Sequence, residues 1–230
     1  MTNAEIFAQI KNDFDGCEAD TWDFCGNEIN GYECSSGASK VAMWCENFGN
    51  KIVKLSFGED EEGSSFSKSG GDFLEDEIHL YQEAEDAGLA QFFAKVEFLG
   101  TISLPYVSDS VVGVYIQDKV DKVFEYLDVC NADERTSYLR EQKIYNTLWK
   151  ENTNLYDMGA YYFIRKYGVK KYRDLCLFIR ANGIHDLHAA NFGVMDDGSF
   201  VIFDYSGYNG GYGSQGGSYE SYYDEYTEED

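Results

Sequence analysis

Proline is almost missing from this 230-residue chain: Pro105 is the only one, so no proline-rich linker divides it. Basic residues are also scarce. Eighteen Lys and Arg stand against 42 Asp and Glu, which gives a net charge of −24 and a pI of about 4.3. Such a surface repels nucleic acid and anionic membranes, so neither is expected as a direct partner. The acids are spread along the chain, which reads as solubility; a basic host partner or mimicry of DNA charge are the sharper alternatives. The six cysteines, at 17, 25, 34, 45, 130 and 176, include no C-x2-C pair and no Cys/His cluster, so zinc is not expected. Free thiols in a reducing cytoplasm account for them most simply. The opening Met1-Thr-Asn-Ala lacks a basic-then-apolar segment, so no secretory signal is expected. No run of 18 apolar residues is present to span a membrane.

Apolar residues make up 43% of the chain and aromatics 17%, enough to fill a core in one domain or two small halves. Residues 1–30 predict one short amphipathic helix, Asn3–Asp13, with Ile6, Ile10 and Phe14 on one face. Strands follow at Gly31–Ser35, Val41–Glu46 and Lys51–Phe57, with a turn at Asn47–Asn50. The acidic, glycine-containing stretch Gly58–Gly71 reads as a surface loop. Asp72–Ala87 reads as a helix through Leu74, Ile78, Tyr81 and Ala84, stopped at Gly88. Phe92–Thr101 and Val111–Gln117 read as further strands, and Asp118–Leu127 as a linker and short helix. Helices are expected at Glu134–Trp149 and Ala160–Ala181. The expected class is α+β: a strand-rich half over 1–117, a helical half over 118–207, and a Gly/Tyr-rich acidic tail over 208–230. A cleft between two unlike halves is a natural small-molecule site.

The chemistry gathers in Ile184–Gly207. Asp186 is followed five residues later by Asn191 and thirteen beyond that by Asp204. Between Asn191 and Asp204, Phe192–Met195 and Phe200–Phe203 flank Asp196-Asp197-Gly198, a hairpin cue. Closing that hairpin brings Asn191 and Asp204 to one end of two strands, with Asp186 on the loop before them. Two carboxylates and an amide oxygen can hold a hard divalent cation and leave one carboxylate as a base.

These residues resemble the protein-kinase-like superfamily. His185-Asp186-Leu187-His188-Ala189-Ala190-Asn191 is similar to its catalytic loop, in the form closest to aminoglycoside- and choline-kinase-like enzymes and to phage-encoded kinase-like proteins. Phe203-Asp204-Tyr205-Ser206 is similar to its metal-binding motif. The resemblance implies that Asp186 orients or deprotonates the acceptor hydroxyl, and that Asn191 and Asp204 hold Mg²⁺ on the phosphates of ATP. It casts Lys54, in Lys51-Ile52-Val53-Lys54, as the lysine on the α/β-phosphates, with Lys51 as the alternate. Glu77 becomes its helix partner, with Glu83 as the fallback. Ser35–Val41 takes the place of the glycine-rich phosphate loop, with Gly37 and Ser39 as candidate phosphate contacts. Ile116–Val120, with Gln117 and Lys119, takes the place of the hinge that meets adenine. The implied fold is two-lobed and protein-kinase-like, with a strand-rich N-lobe and a reduced helical C-lobe.

The departures bear on substrate. His185 replaces the Arg that precedes the catalytic Asp in many regulated protein kinases, and His188 follows the aminoglycoside-kinase pattern; His79 reads as a surface residue. After Asp204 come only Tyr205 to Asp230, without an Ala-Pro-Glu motif or the helices that usually dock substrate. That layout is similar to the host-shutoff kinases of lytic phages, in which case the chain would work in the host cytoplasm on protein substrates. Seven tyrosines between Tyr205 and Tyr226 read as a low-complexity spacer or an autophosphorylation segment. The expected function is an ATP- and Mg²⁺-dependent protein kinase. The alternatives are a kinase-like acidic binding or inhibitor protein with dispensable catalysis, and an aminoglycoside-like small-molecule kinase.

Overall fold

The computed structural model describes residues 1–26, 28–36, 40–56, 73–107, 111–120, 122–123, 132–142, 159–184, 187 and 189–205. The chain is mixed α+β, and its buried side chains gather mainly into two cores, one against a sheet and one among helices.

Helix α1 (Asn3–Phe14) starts on a capping box. The Thr2 hydroxyl accepts from the Glu5 N–H, and the Glu5 carboxylate accepts from the Thr2 N–H, so two end donors are satisfied. Ile6, Ile10 and Phe14 repeat every fourth residue and are fully buried. A second short helix, α2 (Thr21–Cys25), follows where only one was expected in this region. Asp20 caps it by accepting from the Trp22 and Asp23 N–H groups, and Asp23 accepts in return from Asp20.

Six strands form an antiparallel sheet: β1 (Glu28–Ile29), β2 (Tyr32–Ser36), β3 (Lys40–Trp44), β4 (Lys51–Ser56), β5 (Val96–Ser103) and β6 (Val111–Asp118). Their order is β1-β2-β3-β4-β6-β5, so β6 inserts between β4 and β5. Helix α3 (Phe73–Asp86) lies between β4 and β5 in sequence. The period-two alternation of strands divides the sheet into two faces. Val41, Met43, Val53, Leu55, Ile102, Val112, Val114 and Ile116 pack with Ile6, Ile10, Phe14 and Phe24 from α1 and α2. Lys40, Ala42, Lys54, Ser56 and Tyr115 alternate with them onto the other face, where α3 packs.

Strand β5 begins at Val96, not at Phe92. Ala90–Phe92 is a 3-10 turn, and Phe92 and Phe93 turn into the helical core. The aromatic pair explains the difference. Phe92 packs edge-on to Phe163 at 5.0 Å and to Tyr167 at 4.8 Å, contacts the sheet does not offer. That core also takes residues from α4 (Ala132–Glu141) and α5 (Ala160–Ala181), which bends at Gly168, where φ is +84°. The part of the expected Glu134–Trp149 helix beyond residue 142 lies outside the described residues.

The hairpin forms at the Asp-Asp-Gly cue: β8 (Phe192–Val194) pairs with β9 (Phe200–Ile202), and Gly198 adopts φ +76°. Within the expected linker and helix at Asp118–Leu127, Lys122–Val123 form β7, which pairs with β8, and residues 124–127 lie outside the described residues. Those two residues satisfy backbone groups that would otherwise leave β8 open as an edge.

At the β5 bulge between Phe98 and Gly100, the sheet face that packs on α1 comes so close that a Cβ on Gly100, itself at φ +152°, would lie 2.4 Å from the tip of the Phe7 ring. Gly100→Ala should therefore lower the free energy of unfolding by about 1–3 kcal/mol. The same substitution should cost clearly less in a Phe7→Ala background. Equal losses in the two backgrounds, read from urea midpoints, would contradict this seating of α1.

Candidate active site: a buried lysine–carboxylate cluster

Two lysines reach the same point because of strand register. Ala42 on β3 faces Lys54 on β4, and Lys40 faces Ser56. Lys40 is therefore two residues from the direct partner of Lys54, on the same side of the sheet. Diagonal neighbours of this kind lie within reach of long side chains.

Helix α3 covers that side. Leu74 and Ile78 pack against Val96 and Tyr115, a small apolar seam that sets the helix against the sheet. Glu77 lies between these two positions in sequence and is turned inward, with no exposed surface. Its Oε2 accepts from Lys54 Nζ at 3.2 Å and its Oε1 from Lys40 Nζ at 2.6 Å. Lys54 Nζ also donates to the Phe203 carbonyl at 3.0 Å, and Lys40 Nζ to Asp204 Oδ1 at 2.5 Å.

The hairpin delivers Asp204. Asn191 immediately precedes β8, and its carbonyl accepts from the Phe203 N–H at 2.9 Å, which continues the β8–β9 register by one step. Asn191 is buried beside this junction. The next residues tie the hairpin to the sheet half: the Ala94 N–H donates to the Ile202 carbonyl, and the Tyr205 hydroxyl to the Ala94 carbonyl, both at 2.9 Å. Tyr205 packs edge-on against Phe93 at 4.9 Å.

The cluster contains two ammonium groups and two carboxylates, so it is formally neutral. Burial is the largest influence on each of Lys40, Lys54 and Asp204 and opposes their charged forms. For Lys54 it prevails over Glu77, and the pKa falls below the usual lysine value. For Lys40 the two carboxylates together prevail, and the pKa rises. For Asp204 the two lysines prevail, and the carboxyl is held below its usual range.

Lys54, Glu77 and Asp204 thus gather with Lys40 at one end of the hairpin under α3, and Asn191 joins that end through its backbone bond to Phe203. The alternates sit elsewhere: Lys51 pairs with Asp118, and Glu83 is exposed on α3. His79 is exposed. Gln117 is buried, but its side-chain amide donates to the Ala94 carbonyl at 3.2 Å. Lys119 lies over the Trp44 ring at 3.5 Å from its centre. Those two side chains are thus engaged within the protein. Gly37, Ser39, Asp186, His185 and His188 lie outside the described residues. A separate cleft of about 410 Å³, lined by Asn50, Tyr81, Lys119, Tyr167 and Val201 among others, contains none of Lys40, Lys54, Glu77 or Asp204. Sequence reasoning missed Lys40, which it placed only within a loop-like stretch. The signal was present: folding the chain about Asn47–Asn50 puts Lys40 on the Lys54 side, while Val41 and Met43 go to the core.

Among the described residues no group of three His, Cys, Asp or Glu side chains could hold a metal. The donors that Asn191 and Asp204 offer, one carboxylate and one amide oxygen, still fit Mg²⁺, which is commonly held by one or two carboxylates together with substrate phosphates. The Lys40 ammonium already occupies a cation's position on Asp204 Oδ1.

Because Glu77 is the shared counter-charge, Glu77→Gln should destabilise the fold by about 3–5 kcal/mol by leaving buried ammonium groups uncompensated. Adding Lys54→Met should return part of that loss in urea unfolding. Asp204, with its folded pKa depressed, contributes stability that is present above the ordinary Asp value of about 4 and is lost as pH falls through the folded value. The stability gap between wild type and Asp204→Asn should therefore be flat above about pH 5 and narrow below about pH 4.

No family model matches this chain, and no curated protein matches it.

Proposed function

We propose that this chain is an ATP- and Mg²⁺-dependent phosphotransferase with a two-lobed, protein-kinase-like fold, and that it transfers the γ-phosphoryl group to a hydroxyl on a protein. One observation carries the reading. A strand lysine, Lys54, is ion-paired in a buried setting to a helix glutamate, Glu77, and donates to the carbonyl next to Asp204. Phosphoryl transfer needs little covalent chemistry from the protein but close electrostatic positioning, and that trio supplies it. The separate sheet-side and helical cores, joined through the 90–94 segment, support the two-lobed description.

In this reading Lys54, aligned by Glu77, binds the α- and β-phosphates. Asp204 and Asn191 would hold the metal, which would supply positive charge to the phosphates when bound. Asp186 accepts the proton of the incoming hydroxyl, and the leaving oxygen departs on ADP. The low-dielectric setting of Lys54 and Glu77 would strengthen the hold of Lys54 on phosphate over its value in water. The reading puts adenine near the backbone at 117–119, where the Lys119 N–H itself donates to the Asn50 carbonyl at 2.8 Å and the side chains of Gln117 and Lys119 are engaged with Ala94 and Trp44.

The test is incubation of the purified chain with γ-labelled ATP and Mg²⁺, alone and with cell lysate. Wild type should transfer label to protein, while Asp186→Ala and Asp204→Ala should each reduce the rate by at least about a hundredfold. Label that persists equally in both variants, or is absent from all three, rules the reading out. Transfer from α-labelled ATP instead would make the chain a nucleotidyl transferase.

A further inference from the structure

We propose that Lys40 is a second phosphate-contacting lysine, working beside Lys54, and that without nucleotide it stands in for the cation on Asp204. This rests on the phosphotransferase reading and extends it to a residue that the reading does not use.

Three observations lead there. Lys40 Nζ is within 2.6 Å of Glu77 and 2.5 Å of Asp204, so it links the carboxylate that aligns Lys54 with the one assigned to the metal. The β3–β4 register sets the two lysines on one face, which gives the site a pair of ammonium groups from adjacent strands. Third, the two are held differently. Lys54 is held between Glu77 and the Phe203 carbonyl, whereas Lys40 is held between Glu77 and Asp204, and Asp204 keeps a third of its side-chain surface open to solvent.

Charge balance turns this geometry into a role. The four groups are neutral together, but the Mg²⁺ complex of ATP is still an anion. With a metal on the Asp204 oxygen, Lys40 would keep Glu77 but lose one carboxylate partner, and its ammonium would join Lys54 in meeting the phosphates. One side chain thus pairs with Asp204 and, with nucleotide bound, would neutralise phosphate. No covalent bond forms or breaks in the exchange.

The experiment is calorimetric binding of MgATP and of adenosine to the full chain as wild type, Lys40→Met and Lys40→Arg. Lys40→Met should weaken MgATP by at least about tenfold, the value of a lost charge-assisted hydrogen bond, and leave adenosine unchanged. Lys40→Arg should stay within about threefold of wild type for both ligands. Wild-type affinity for MgATP in Lys40→Met makes Lys40 a strut and overturns the proposal. Tighter MgATP binding in that variant makes it only a block on Asp204 and overturns it too. Equal weakening of MgATP and adenosine in both variants also overturns it. A wild-type chain that binds adenosine and MgATP alike or not at all removes the phosphotransferase reading, and this inference with it.

Discussion

A carboxyl side chain with no exposed surface needs a partner for each oxygen. Glu77 meets that condition at both oxygens, through Lys40 at one and Lys54 at the other. The requirement fixes α3 against β3 and β4 more tightly than the apolar seam of Leu74, Ile78, Val96 and Tyr115 could by itself. Lys40 carries the constraint on to Asp204, and Lys54 carries it to the Phe203 carbonyl. The end of the hairpin is therefore located by the same buried charge that locates the helix. Moving any one of these elements leaves a charge behind.

Stability alone does not explain such a cluster. A buried ion network replaced by well-packed apolar residues of similar volume is often as stable or more so. Here α3 already has apolar positions on either side of Glu77, and the strands already alternate valine and leucine into the other face. The charged groups stand in the middle of a surface that could have been completed with hydrocarbon. In a chain of net charge −24, with only 18 basic residues, gathering two lysines out of water is costly, and under the proposed function nucleotide phosphate is the anion they would meet.

Local pattern carried most of the fold into the sequence. The four-residue spacing of Ile6, Ile10 and Phe14, the alternation of β3 and β4, and the Asp-Asp-Gly turn each name their element directly. What was not legible depended on tertiary partners. Phe92 and Phe93 have strand-like chemistry, but ring contacts with Phe163, Tyr167 and Tyr205 pull them into the helical core. Lys122 and Val123 become a strand only because β8 offers an edge. Lys54, Glu77, Asn191 and Asp204 could be picked out by residue type and order. Lys40 could not, because its importance comes from cross-strand register with Lys54, which no single stretch of sequence displays.

One backbone atom shows how the two halves are kept aligned. The Ala94 carbonyl accepts from both the Tyr205 hydroxyl and the Gln117 side chain, and the Ala94 N–H donates to Ile202. Residue 94 lies where the chain passes from the helical core into β5, Gln117 lies on β6, and Tyr205 directly follows Asp204. A rotation of the hairpin that moved Asp204 away from the lysines would break the Tyr205 bond and strip a buried acceptor of one donor. The electrostatic cluster pulls Asp204 toward the sheet from one side, and the Ala94 junction holds the next residue from the other. With both in place, the distance from Asp204 to the lysines is set by the fold itself, so the charges of the cluster are positioned without any ligand having to arrange them.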